Sequence, residues 1–180
     1  MTHHPGLQLI PATPDMLRAE LQGRAELERS MGIQVPASWP PELHDRQGIA
    51  AALQRLQQFP GEQEWWLHYV ANREASEDRA TLVGVSGFKG PPTPEGEVEV
   101  WYTISPDFRR QGFGAEATML MLAKAFAQPL VTRVAAETLQ EQLPAIGVLA
   151  KAGFTFAGEG SDEGLVRYEV TRGQYLRLRA

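Results

Sequence analysis

A single mixed α/β domain is the fold class that this sequence predicts, on three observations. Between residues 64 and 104, three strand-like runs are separated by turn residues, the pattern of an antiparallel meander. Before residue 60, apolar side chains recur at helical spacing. After residue 104, helix-like and strand-like segments alternate to the end of the chain. The 180 residues suit one such domain, with a core large enough to fold alone.

Taken in order, Leu7 to Ile10 is a short apolar strand. Thr13-Pro14-Asp15 starts a helix, with a capping hydroxyl and a proline in the first turn, and Leu17, Leu21 and Leu27 supply its apolar stripe. Pro36, Trp39, Pro40 and Pro41 interrupt regular structure. A second helix is expected from Asp45 to Phe59, with Ile49, Leu53 and Leu56 on one face and Pro60-Gly61 ending it. Glu64 to Val70 reads as a strand, Asn72 to Asp78 as a polar turn, and Thr81 to Lys89 as a strand. Pro91 to Gly96 is a stiff connection, and Glu97 to Ile104 alternates polar and apolar side chains as a two-faced strand does. A helix from Gly112 to Ala127 follows, with Met119, Leu122, Ala123 and Phe126 inward. Thr132 to Thr138 is a strand, Leu143 to Ala152 a helix stopped by Gly153, and Phe154 to Gly158 and Leu165 to Thr171 are the last strands. Residues 1–60 are expected to shape one side of a site, and residues 61–172 to form the sheet core.

Composition narrows the function. Hydrophobic residues make up 43% and charged residues 22%, ordinary for a soluble globular chain. A net charge of -5 argues against nucleic-acid binding through phosphate contacts and suits a cationic substrate such as an amine. The chain has no cysteine, which excludes disulfides, a thiol nucleophile and cysteine-ligated metals. No metal site is expected: His3, His4 and His44 lack a ligand pattern and read as surface residues. No apolar run approaches the roughly 20 residues that cross a bilayer, and Met1 to Pro5 has no signal-peptide character, so a cytoplasmic protein without membrane partners is expected.

The chemistry concentrates in the loop before the Gly112 helix. A helix start presents unpaired N–H groups and a partial positive charge, and glycines let an anion approach the backbone. Ser105-Pro106, then Arg109-Arg110-Gln111-Gly112-Phe113-Gly114-Ala115, therefore reads as a nest for a phosphate or diphosphate, with Arg109 and Arg110 adding charge. A nucleotide P-loop would need lysine and a hydroxyl after the glycine, where Ala115 and Glu116 stand. A dinucleotide fingerprint would need three spaced glycines after the first strand of a parallel unit.

The run from Glu99 to Ala117, a strand followed by Pro106-x-x-Arg109-x-x-Gly112-x-Gly114 and a helix, resembles the signature of the GNAT acetyltransferase superfamily. Glu137 to Phe154, ending in Lys151-Ala152-Gly153-Phe154, resembles the family's later strand–helix segment, and the resemblance spans Trp65 to Val170. Its details resemble the branch of the ribosomal-protein N-terminal acetyltransferases. It implies a mixed, mostly antiparallel twisted sheet of about seven strands flanked by helices, with two central strands splayed to admit acetyl-CoA. It also implies that main-chain groups of Tyr102, Thr103 and Ile104 hold the pantetheine arm and thioester. Those of Arg110, Gln111, Gly112, Phe113, Gly114 and Ala115 hold the diphosphate.

The implied function is direct acetyl transfer to an amine, a protein N-terminus or a small molecule, by an enzyme that is monomeric or homodimeric. A non-catalytic acyl-CoA sensor is the alternative. Direct transfer needs a donor aimed at the developing oxyanion and a group to take the amine proton. Glu99 is the first candidate base, where the family often has a glutamate, and Glu97 the second. Leu149 stands near the family's tyrosine acid, which leaves Tyr102, Ser105 or water as proton source; Gln142 stands in place of a helix-starting asparagine and is a cofactor ligand candidate. Trp101 would narrow the acceptor pocket, and Trp39 with its prolines would cover it. Trp66 and His68 are expected on one strand face and Trp65 on the other, mainly as packing residues. Arg167, Arg172, Arg177 and Arg179 read as a solvated basic face.

Overall fold

The seven expected strands form one sheet in the computed structural model, which describes residues 4–73 and 78–179. His3 and most of the turn expected at Asn72 to Asp78 lie outside those residues. The strands are β1 (Leu7–Pro11), β2 (Leu67–Asn72), β3 (Thr81–Phe88), β4 (Glu97–Ile104), β5 (Arg133–Leu139), β6 (Thr155–Glu159) and β7 (Leu165–Thr171). They lie in the order β1-β2-β3-β4-β5-β7-β6, and every neighbouring pair is antiparallel except β4 and β5.

Helices α1 (Pro14–Gln22), α2 (Arg24–Met31) and α3 (Arg46–Gln58) pack on one face. There Leu17, Leu27, Ile49 and Leu56 meet Leu67, Tyr69 and Val85 of the sheet. The other face carries α4 (Phe113–Phe126), α5 (Leu143–Lys151) and α6 (Arg172–Leu178). There Met121, Leu122, Phe126 and Leu149 cover Val98, Val100 and Val134. Burying one such aliphatic side chain contributes about 1.5–3 kcal/mol, so the two layers hold the sheet from both sides.

Several boundaries differ from the sequence reading. The stripe Leu17, Leu21, Leu27 is split between two helices, because Gly23 stands at φ 151° between them. Residues Pro60–Trp65 form a 3-10 helix, so β2 starts at Leu67 and not at Glu64. Trp66 thus precedes the strand and escapes its alternation: it packs with the α1–α3 layer, whereas His68 lies near Lys124 of α4. On α4 the buried side chains include Phe113, Ala117, Met121, Leu122, Ala125 and Phe126, while Met119 and Ala123, expected inward, are half-buried. The basic C-terminus is solvated only in part: Arg177 and Arg179 are exposed, and Arg172 is not. Thr171 and Gln174 form a capping box that starts α6. Arg172 lays its guanidinium on the carbonyls of Phe126 (2.8 Å), Gln128 (2.6 Å) and Val131 (2.7 Å), closing the end of α4.

His68 is fully buried, and that burial, helped by the Lys124 cation, lowers its pKa from 6.5 to about 4. The unfolded chain takes up a proton near pH 6.5 that the folded chain refuses until about pH 4. Stability is therefore full above pH 6.5, falls as pH drops through that window, and is lower by about 3 kcal/mol below it. Urea unfolding of His68→Gln should show a flatter fall between pH 7 and 4.5 than the parent protein. Equal slopes in the two proteins would remove His68 as the cause.

Candidate functional site

The sheet opens at its parallel junction. β4 and β5 pair only through Glu97–Arg133, Val98–Val134 and Glu99–Ala135, so residues 100–104 of β4 have no partner on β5. Two bonds fix the phase of the ladder on the other edge: Lys89 N–H donates to the Glu99 carbonyl and Ser105 N–H to the Val83 carbonyl, each at 2.9 Å. Odd-numbered residues thus turn their main-chain groups to β3, and Val100, Tyr102 and Ile104 turn theirs toward the opening. The Ile104 carbonyl is already held by Arg109 Nε at 3.1 Å. Thr103 faces the other way, and its hydroxyl donates to the Glu42 carbonyl at 2.8 Å. Of the three residues expected to offer main-chain groups, the register gives Tyr102 and Ile104.

The eight residues between β4 and α4 place the start of α4 at the mouth of this opening. The backbone takes φ 61° at Arg110 and φ 94° at Gly112, alternating hand in the manner of an anion-binding nest. Gly112 occupies the N-cap position and makes no side-chain cap. Among the described residues no side chain caps the first turn of α4, so its helix-end N–H groups are open to an anion such as a diphosphate. Phe113 anchors the turn by burying its ring against Ile104 and Val70. Gly114 has a packing reason of its own to lack a side chain. A Cβ there would stand 3.0 Å from Cε2 of Tyr102, so the missing side chain lets α4 approach β4. The two arginines divide their work: Arg109 tethers the loop to Ile104 and to Glu42 (3.2 Å), and Arg110 is exposed beside the nest.

Glu99 sits where the paired part of β4 and β5 ends, its carboxylate in an ion pair with Lys89. Glu97 is fully engaged instead, with Arg133 at 2.9 Å and Arg167 at 2.6 Å. Arg167 belongs to this network, not to a solvated face: it is flanked by Glu97, Glu137 and Glu169, and against the opposing effect of burial the hydrogen bonds and charges of Glu169 and Glu97 raise its pKa. Burial pushes the Tyr102 phenol up to about 12. Ser105 is fully buried, and its hydroxyl has no hydrogen-bond partner among the described residues. Leu149 lies in the core below β4 and β5, and Gln142 is exposed at the start of α5 without capping it.

Three features escaped the sequence reading. His44 is buried, not on the surface. The Glu20 carboxylate accepts from Trp39 Nε1 (2.6 Å), His44 Nε2 (2.9 Å) and the Tyr69 hydroxyl (2.5 Å), all inside the α1–α3 layer. That network fixes the ends of the segment Trp39 to His44, and the segment's middle residue Glu42 reaches β4 and Arg109. Trp39 is thus a core anchor, and Glu42 is the part that meets the site. The third is His4, which stacks on Phe113 with ring centroids 3.9 Å apart.

Residues 7–155 match the family model described as an acetyltransferase (GNAT) domain. The chain is 30% identical over 77 residues to the uncharacterized N-acetyltransferase YjdG of Bacillus subtilis, a stretch covering 43% of this chain and 46% of that protein. Its fold is similar to that of a protein provisionally named a ribosomal-protein-serine acetyltransferase from Vibrio cholerae, with a TM-score of 0.63 and 17% identity over 94% of this chain and 96% of the other. It is also similar to the spermidine N-acetyltransferase from Vibrio cholerae solved with CoA and spermine, with a TM-score of 0.66 and 14% identity over 95% and 98% of the two chains.

Proposed function

Because the chain belongs to the GNAT acetyltransferase family, we propose that it is an N-acetyltransferase moving an acetyl group from acetyl-CoA to an amine. The observation that carries this reading is the coincidence of two fits. The opening between β4 and β5 leads directly to the uncapped start of α4. Main-chain groups of Tyr102 and Ile104 would meet the amides of the pantetheine arm, and those of Arg110 to Ala115 the diphosphate, with exposed Arg110 adding charge. The thioester supplies the activated acyl group.

The remaining work falls to the chain's own residues. Glu99, kept beside Lys89 at the vertex of the opening, takes the proton of the attacking amine. A main-chain N–H on the open edge of β4 polarises the acyl carbonyl. The Tyr102 phenol, held up at about 12, is a poor acid for a thiolate, and water is the proton source we assign. The family branch we favour is the one acting on protein N-termini. The acidic chain, with a net charge of -5, suits a cationic acceptor.

A thiol-release assay across N-terminal peptides and small amines tests the reading directly. Release of free CoA thiol that depends on one acceptor class is the expected result. CoA binding without release for any amine would leave a sensor and sink the enzyme. Glu99→Gln should lower turnover about 100-fold or more and alter the pH–rate profile, with CoA affinity unchanged. An unaltered pH–rate profile in that variant would exclude Glu99 as the base.

A further inference from the structure

His4 lies on the cradle proposed for the cofactor, and nothing in the proposed chemistry uses it. His4 donates its main-chain N–H to Glu116 Oε2 (2.8 Å) and accepts from Leu7 N–H (2.9 Å). Its ring stacks on Phe113 at an interplanar angle of 24°. Its Nε2 stands 2.7 Å from the Gln111 carbonyl oxygen. A carbonyl only accepts, so Nε2 carries the hydrogen and donates it.

We propose that His4 is a positioning residue that fixes the peptide between Gln111 and Gly112 so that the Gly112 N–H faces an incoming diphosphate. This inference rests on the acyl-CoA reading above. In a planar trans peptide, a carbonyl and the N–H that follows it point in opposite directions. Drawing the Gln111 oxygen toward His4 therefore turns the Gly112 N–H to the far side. Glycine at φ 94° gives that peptide a freedom its neighbours lack. Turned over, the same peptide would aim an oxygen at an anion. One hydrogen bond selects between the two orientations, and the stack on buried Phe113 holds the donor in place.

Titration calorimetry with two probes, CoA and pantetheine, tests the proposal, because pantetheine lacks the diphosphate. His4→Phe keeps the stack and removes the donor. It should weaken CoA binding roughly tenfold and leave pantetheine unchanged, while His4→Gln, which restores a donor, recovers most of the loss. CoA affinity within about twofold of the parent in His4→Phe would overturn the assignment, as would equal losses for both probes. If the parent protein binds CoA no better than pantetheine, the cradle itself is wrong, and the role of His4 falls with it.

Discussion

Gly114→Glu is expected to weaken CoA binding by at least about 100-fold, a loss near 2.7 kcal/mol. The first Cβ already crowds the Tyr102 ring at 3.0 Å, and the ring belongs to the strand against which the proposed ligand would lie. A longer side chain forces α4 away from β4 and spoils the relation between the helix start and the open strand edge. Its carboxylate also adds a like charge beside the diphosphate. Gly114→Ala places the same Cβ with nothing beyond it, and half-buried Tyr102 can move a few tenths of an ångström, so its loss should be several times smaller. Calorimetric titration of both variants gives the comparison. Parent-like affinity in Gly114→Glu would mean that the ligand does not use this helix start.

Glu20→Ala is expected to cost about 3–5 kcal/mol of folding stability. Three buried donors converge on that carboxylate, from Trp39, His44 and Tyr69, and all lose their acceptor at once. Burial and the adjacent Glu20 charge push the Tyr69 phenol strongly upward, so it stays a donor. Since such domains have only 5–15 kcal/mol in total, the variant should unfold at markedly lower urea. Glu20→Gln keeps an acceptor oxygen and should lose less. A loss below about 1 kcal/mol in Glu20→Ala would show that the three donors find other partners.

What the sequence made legible was local. The alternation from Glu97 to Ile104 gave β4, and the glycines after Arg110 gave the start of α4, because each signal lies within a few residues. The network around Glu20 joins residues 19, 24 and 49 positions apart, and no period marks such a set. His4 meets Gln111 across 107 positions for the same reason. The clamp of Arg172 on the end of α4 was hidden likewise, since an arginine reads as solvated until a helix end is known to lie beside it. Helix α6 is a different case: Thr171-x-x-Gln174 is a short-range capping box, a signal that lies within four residues of sequence.

The shortness of the β4–β5 ladder has a consequence for how substitutions act. On the proposed reading, a cofactor arm with amides of its own would serve as a surrogate strand, adding rungs that β5 withholds. Affinity from such rungs belongs to the polypeptide backbone and survives exchange of the side chains that hang from it. Alanine replacements at Val100 or Ile104 would then register as weaker packing and leave the grip on the arm in place.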